Sequence, residues 1–287
     1  MRIVILSISI LLLFNGCLFS KKRHKQKPIN VTRNAEINQQ ALVVGVNDYK
    51  GTTYDLDGIN IDTKNMSKLF SSWGFNVKTV RNEQSMDIQR ILSDYAAKLK
   101  EDDVFILYFS GHGSSTVDRS GDELNDDRDE LIVVSDGKEN LFILDDNLDK
   151  ILDKIRARKL IIFDSCNSGT ANRSYTADQE KKIKYIPAPA NVGDKEDDLV
   201  IPTRSFMPVQ TGSYLFFSSC KDNEKSFSSK DGSLFTIKLL SHINLNKTPK
   251  QIHKETSESL SRYFHPNLTA SDENLKFNTL KSYLKVN

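Results

Sequence analysis

The chain alternates between short apolar runs and amphipathic stretches. Uninterrupted apolar runs cover residues 41–46, 104–109 and 160–163, a length and character typical of parallel strands that are buried on both faces. Between them lie stretches such as residues 88–99, in which apolar side chains recur at helical spacing. Strands that alternate with helices predict an α/β fold in which a parallel sheet carries helices on both faces.

The remaining predicted elements follow from the same pattern and from local signals. Gly74 is expected to close the first helix, Ser85 to cap the second, and Thr248 with Pro249 to begin the last. Further helices are predicted at residues 57–73, 145–156 and 233–243, and further strands at residues 75–80, 131–134 and 214–218.

Two of the apolar runs end in residues that can carry chemistry. The run at 104–109 continues as Ser-Gly-His-Gly, with the histidine at position 112, and the run at 160–163 continues as Asp-Ser-Cys-Asn-Ser-Gly, with the cysteine at position 166. Ligands of open parallel sheets bind at the carboxyl ends of the strands. His112 and Cys166 are therefore predicted to be a base and nucleophile pair. The backbone N–H groups of Gly113 and Cys166 are the candidate oxyanion donors.

Composition narrows the class of protein only slightly. The 287 residues carry a net charge of +2, with 38% hydrophobic and 27% charged residues, which is enough for a sizeable core and gives no reason to expect a nucleic-acid partner. Residues 171–210 are polar and contain several prolines. This segment is too long for an ordinary connection between two elements.

The N-terminal segment has the features of an export signal. Arg2 precedes an apolar run at residues 3–14, and Asn-Gly-Cys follows it; the run is shorter than the roughly 20 residues of a membrane span. The segment resembles a bacterial lipobox, so residues 1–16 are predicted to be a signal peptide and Cys17 to be lipidated. Residues 17–40 would then be a tether and 41–287 the folded domain, held at a membrane in the periplasm or at the cell surface. A plain secretory signal or a retained anchor is the alternative.

Cys166 and Cys220 remain once Cys17 is assigned to export. In an oxidising compartment the two could form a disulfide. The residues around Cys166 favour a reactive thiol instead.

The two strand-end motifs together resemble those of the metacaspases and their bacterial relatives among the caspase-like peptidases. The likeness extends over roughly residues 41–245 and implies a three-layer α/β/α sandwich with a mostly parallel central sheet. It also implies a cysteine endopeptidase that acts on proteins or peptides. By position, Asp62 and Asp164 match two acids of a first specificity pocket that prefers arginine or lysine; Ser218 and Asp222 match the strand that lines it. Two carboxylates in a narrow pocket suit a cationic side chain. Otherwise Asp62 could cap its helix and Asp164 could hold a turn.

The resemblance also raises self-cleavage and calcium. Residues 171–210 correspond to the segment between the large and small parts of these enzymes, and cleavage could follow any of its basic residues: Arg173, Lys181, Lys182, Lys184, Lys195 or Arg204. Asp129 and Glu130 match acids that bind calcium in relatives, whereas Arg173 stands where an aspartate is common. Calcium requires six to eight oxygen ligands, and a basic residue at position 173 provides none. No cofactor is therefore expected to be required. Calcium remains a less favoured alternative, and no metal ligand is assigned.

Three alternatives remain open. The same scaffold could carry a legumain-like or gingipain-like peptidase, although Asp62 and the Asp-Ser-Cys motif argue against it. The chain could be a catalytically silent binding module at the cell surface, although His112 and Cys166 are both present. A thiol redox protein is the weakest alternative because the chain has no Cys-x-x-Cys pair. The oligomeric state is not predicted.

Overall fold

The computed structural model describes residues 37–117, 128–166, 181–190, 192, 212–221 and 224–286. From Ile37 onward the chain forms a single compact unit. Its strands are β1 (Gln39–Gly45), β2 (Asn76–Arg81), β3 (Val104–Ser110), β4 (Gly113–Val117), β5 (Arg128–Ser135), β6 (Asn140–Leu144), β7 (Arg158–Asp164), β8 (Lys182–Ile183), β9 (Tyr214–Ser218), β10 (Phe227–Ser229), β11 (Gly232–Ser233) and β12 (Asn267–Ala270). Its α-helices are α1 (Ile59–Ser72), α2 (Ile88–Lys98), α3 (Asp145–Lys154), α4 (Leu234–His242), α5 (Pro249–Leu260) and α6 (Leu280–Tyr283).

The central sheet has six strands in the order β12-β9-β7-β3-β1-β2. Five of them are parallel and only the edge strand β12 runs antiparallel to its neighbour. Two small antiparallel sheets, β4-β5-β6 and β11-β10-β8, are built from the segments that follow the strand ends. The prediction of a mostly parallel sheet is confirmed.

Alternate residues along each central strand enter two separate cores, as the two-residue period of a strand requires. In β3, Phe105 and Leu107 pack with α2 and α3 on one face, while Ile106 and Tyr108 pack with α1, α4 and α5 on the other. Because both faces are covered, β3 is buried along its whole length. The sheet and its two helical layers form the predicted three-layer sandwich.

The predicted ends of the helices are partly correct. Gly74 follows α1 with φ +90°, as expected of a residue that closes a helix. Thr248 caps α5 in a full capping box with Gln251. The cap predicted at Ser85 is wrong: Ser85 is buried within a 3-10 turn at Asn82–Asp87, and α2 begins three residues later. Because Ser85 is buried in this turn, it does not cap α2 as its residue type predicted.

Candidate functional site

The site lies at the carboxyl ends of β3 and β7. These strands pair in parallel with Ser110 opposite Asp164, so His112 and Cys166 each lie two residues beyond the last paired position of neighbouring strands. Both side chains are buried. The strand register therefore brings together the two residues that the sequence predicted as a pair.

His112 is held in one orientation. Its Nε2 lies 2.7 Å from the Tyr54 carbonyl oxygen, and because a carbonyl can only accept, Nε2 carries the proton. Its backbone N–H donates to the Tyr49 hydroxyl at 2.7 Å, and the Tyr49 ring packs against the imidazole. Nδ1 is buried and has no hydrogen-bond partner among the described residues. Burial lowers the pKa of His112 to about 4, so at neutral pH Nδ1 presents a lone pair.

Cys166 lies beside a second thiol. Its Sγ donates to the Glu224 carbonyl oxygen at 3.0 Å, and Cys220 Sγ approaches the same oxygen at 3.7 Å. Both residues remain thiols, so no disulfide joins them. A hydrogen bond with the Cys166 side chain, together with burial, raises the pKa of Cys220 well above its usual value. Cys220 therefore stays protonated beside the candidate nucleophile.

Lys184, from the long segment after β7, occupies the space between the strand ends. Its carbonyl oxygen accepts from the backbone N–H of Gly113 at 3.0 Å and from that of Cys166 at 3.2 Å. These are the two groups that the sequence predicted as oxyanion donors. A peptide carbonyl of this chain thus lies where a substrate carbonyl would be polarised.

The side chain of Lys184 fills a closed polar pocket. Its ammonium lies 2.9 Å from Asp164 Oδ1 and donates to the hydroxyls of Ser110 at 2.8 Å and Ser233 at 2.9 Å. Lys184 and Asp164 are both 0% exposed. A cation removed from water to this extent requires a charged partner and further hydrogen bonds, and the pocket provides both.

Asp62 and Asp164 are each held by hydrogen bonds from other elements. Asp164 accepts from Ser226 at 2.9 Å and from Thr236 at 2.6 Å. Asp62 lies in the first turn of α1 and accepts from the Ser233 backbone N–H at 3.0 Å and from the Ser110 hydroxyl at 3.3 Å. Burial raises the pKa of Asp62 to about 6, while the charge of Lys184 opposes this shift.

Gly232 allows the backbone of β11 to lie close to the Asp62 carboxylate. Its φ of +123° is one that side-chain-bearing residues rarely adopt, and a Cβ atom at this position would lie 2.6 Å from Asp62 Oδ1. Only glycine lets the β11 backbone turn its next N–H group toward the carboxylate.

Other predicted site residues contribute less or lie elsewhere. Ser218 was predicted to line the pocket, but its hydroxyl is directed to the Cys220 carbonyl at 3.5 Å. The Lys184 ammonium contacts Asp164, Ser110 and Ser233 instead. Asp222 and Cys17 lie outside the described residues, as do residues 1–36, 118–127 and 167–180. Sequence reasoning missed Ser110, Ser226, Ser233 and Thr236, although Ser110 directly precedes the Gly-His-Gly motif.

Asp129 and Glu130, the two acids that match calcium ligands of relatives, both lie in β5. Glu130 is buried. Within the ranges that the structure describes, no cluster of three or more histidine, cysteine or acidic side chains is arranged to hold a metal ion. The described helices also include none that is long and apolar enough to cross a bilayer.

The chain is similar in sequence to known metacaspases. Metacaspase-3 of Arabidopsis thaliana is 29% identical over 204 residues, which cover 66% of this chain and 53% of the relative. Metacaspase-1 of Plasmodium falciparum is 30% identical over 213 residues, which cover 68% of this chain and 32% of the relative. The chain thus spans about a third to a half of the length of these relatives.

Solved structures share the fold. A protein from Geobacter sulfurreducens has a TM-score of 0.67 at 22% identity, with 84% of this chain and 97% of that chain covered. Caspase-1 from Spodoptera frugiperda has a TM-score of 0.54 at 14% identity, with 86% and 94% covered. The sequence profile of the peptidase C14 family, described as a caspase domain, matches residues 38–278. The chain therefore belongs to the caspase-like C14 family of cysteine peptidases.

Proposed function

We propose that this protein is a cysteine endopeptidase that cleaves peptide bonds after lysine or arginine, with His112 as the base and Cys166 as the nucleophile. The binding of Lys184 carries the proposal. Its ammonium contacts Asp164, while its carbonyl accepts from the N–H groups of Gly113 and Cys166. This is the arrangement expected of a substrate residue immediately before the cleaved bond.

The reaction follows from these positions. His112 Nδ1 accepts the Cys166 thiol proton, and the thiolate attacks the carbonyl carbon. The two N–H groups stabilise the charge that develops on the oxygen. The C–N bond then breaks, the imidazolium returns its proton to the departing amine, and water hydrolyses the thioester. The Tyr54 carbonyl orients the imidazole throughout and stabilises its charged form.

The pocket supports selection of a cation. Asp164 and Asp62 lie at its inner end, and three hydroxyl groups, from Ser110, Ser226 and Thr236, hydrogen-bond to these carboxylates. An aspartate side chain in this pocket would place a third carboxylate beside two others. Substrates with aspartate before the cleaved bond are therefore rejected.

The first substrate of the enzyme is its own chain. The Lys184 carbonyl accepts from the two N–H donors, so self-cleavage occurs at the bond between Lys184 and Tyr185. Until then Lys184 excludes other substrates. Before cleavage, the chain would behave like the catalytically silent binding module, which is the alternative function. A latent peptidase cuts the bond after Lys184, whereas a silent module does not.

Localisation and metal dependence belong to the same proposal. The apolar segment at residues 3–14 and Cys17 support export and a lipid anchor at a membrane. Arg173, seven residues after Cys166, supports catalysis without calcium. Mass spectrometry of Cys17 in membrane fractions tests the anchor, and activity in a chelator tests the metal.

The decisive experiment uses peptides with arginine, lysine or aspartate before a fluorogenic group, each with calcium or with a chelator. The purified protein is compared with its Cys166→Ala and His112→Ala variants. We expect release after arginine and lysine only, and a loss of at least about 10³-fold in either variant. Release after aspartate would refute the pocket assignment, and cysteine-independent release would refute the dyad.

A further inference from the structure

Lys182, two residues before Lys184, is also bound by the protein. Residues 182 and 183 form β8, which pairs antiparallel with β10, with Ser228 opposite Lys182. The Lys184 backbone N–H continues this pairing by donating to the Ser226 carbonyl at 3.1 Å. The segment is thus held in an extended conformation by backbone bonds, which is how proteins commonly bind peptides of varied sequence.

An extended conformation places every second side chain on one face. Lys184 and Lys182 share the face that meets the protein, while the Ile183 side chain between them is 38% exposed. The backbone pairing therefore offers two side chains of the segment for recognition and leaves the middle one in solvent.

The Lys182 ammonium meets its own acceptors. It donates to the Asp55 carbonyl oxygen at 2.7 Å and lies 3.4 Å from Asp57 Oδ2. Asp55 is fixed in this position because its side chain accepts from the Tyr49 backbone N–H at 3.0 Å. Asp57 lies in the same loop, directly before Gly58 and α1.

We infer that Asp57 and the Asp55 carbonyl form a second cation-binding subsite, which selects a basic residue two positions before the residue at the cleaved bond. The inference rests on the proposed function and extends it from a single lysine to the pattern Lys-x-Lys. Asp57 is the specificity residue of this subsite. Its side chain is 45% exposed and that of Lys182 41%, so the contact adjusts preference and is not needed for folding.

A charge-swap experiment in the full-length protein tests this subsite. Asp57→Lys and Lys182→Glu each place like charges together, and their combination restores an opposite pair. We expect each single variant to slow cleavage between Lys184 and Tyr185 about two- to fivefold, a size set by the modest strength of half-exposed ion pairs. The double variant should cleave faster than either single variant but more slowly than wild type, because the Asp55 carbonyl receives no hydrogen bond from the new carboxylate. Asp94→Lys, which removes a similarly exposed acid paired with Arg90 on α2, is the matched control and should cleave at the wild-type rate.

A second arm uses peptides in trans, all with lysine before the cleaved bond and with lysine, alanine or glutamate two positions earlier. For the cleaved wild-type enzyme, lysine should give the lowest KM with little change in kcat, and Asp57→Lys should invert the order of lysine and glutamate. Single variants with wild-type rates, or a double variant no faster than the slower single one, would overturn the subsite while leaving cleavage after lysine intact. Absence of cleavage in every chain and peptide would instead overturn the proposed function, and the subsite with it.

Discussion

Two groups of buried carboxylates occupy different faces of the central sheet, and they differ in what surrounds them. Asp62 and Asp164 lie on the side of α1 and α4, around Lys184. Asp149 lies in α3 on the other side, 2% exposed, where burial and then the charges of Asp146, Asp153 and Glu130 raise its pKa well above the usual value. Its Oδ1 has no hydrogen-bond partner among the described residues.

The difference separates the proposed specificity pocket from a carboxyl group that is merely buried. Around Asp62 and Asp164, hydroxyl and N–H donors from several elements hydrogen-bond to the carboxylates, and the pocket contains the Lys184 ammonium. Around Asp149, other acids favour the protonated form. A raised pKa alone does not distinguish Asp62 from Asp149, whereas the hydrogen-bond donors around Asp62 do.

The largest expected effect comes from exchanging one acid in each group for its amide. Asp164→Asn removes the charge that contacts the substrate cation and should lower kcat/KM for lysine peptides by at least about 100-fold, because a buried ion pair that loses one partner leaves an uncompensated charge. Asp149→Asn should change kcat/KM less than about twofold. Comparable losses in both variants, measured with peptides on cleaved protein, would erase the distinction.

The pH dependence of the His112 contribution to stability tests whether burial controls charge at this site. Burial raises the pKa of a carboxyl group but lowers the pKa of an imidazole. The pKa of His112 is about 4 in the folded protein and about 6.5 when unfolded. Its contribution to stability is therefore complete above about pH 6.5 and is lost as the pH falls toward 4, a change of about 3 kcal/mol. The free energy of unfolding of wild type minus that of His112→Asn, measured by denaturant titration, should rise by this amount from pH 4 to pH 7. A flat difference would mean that burial is not the cause.

A smaller effect is expected from Lys184→Met, which keeps the apolar stem and the backbone bonds but removes the cation. We expect a loss of about 1–3 kcal/mol at pH 7, because Asp164 loses one buried donor but keeps the hydroxyl groups of Ser226 and Thr236. The measurement is made in a Cys166→Ala background so that no chain is cut. The Asp62 pKa of about 6 should rise further without the lysine charge. Because the folded state then binds protons more tightly than the unfolded state, stability should return as the pH falls through this raised value. Lys184→Arg, which keeps the charge, is the control and should show neither effect.

The smallest effect is predicted for the stability of Asp149→Asn. A carboxyl group whose pKa is raised in the folded state costs stability above its unfolded pKa of about 3.9. The amide should therefore be more stable than wild type at pH 7, and this gain should disappear near pH 4. A thermal scan at both pH values checks the sign.

Much of the fold could be predicted from the sequence because buried parallel strands are locally uniform. β3 and β7 contain uninterrupted apolar runs at residues 104–109 and 160–163. Each run is followed by a motif that contains glycine, and these motifs also marked His112 and Cys166. The cap at Ser85 was wrong because tertiary burial outweighed a local preference. Local signals therefore fail where packing decides the outcome.

The hydrogen-bond donors around Asp62 and Asp164 could not be predicted in the same way. The contacts of Asp62 and Asp164 with Ser226, Ser233 and Thr236 depend on how β10, β11 and α4 are placed in the fold. Short polar strands have no hydrophobic periodicity from which this placement could be predicted. Lys184 was one of six basic residues in its segment, and composition does not rank them. The backbone bonds of the Lys184 carbonyl and the contact of its ammonium with Asp164 identify it.

The most direct test of the central claim is mass spectrometry of the full-length protein after incubation at neutral pH, alongside its Cys166→Ala variant. If Lys184 is bound as a substrate, wild-type protein gains a new amino terminus at Tyr185 and the variant stays intact. Cleavage that begins after another basic residue, or an intact wild-type chain that nevertheless hydrolyses lysine peptides, would contradict it.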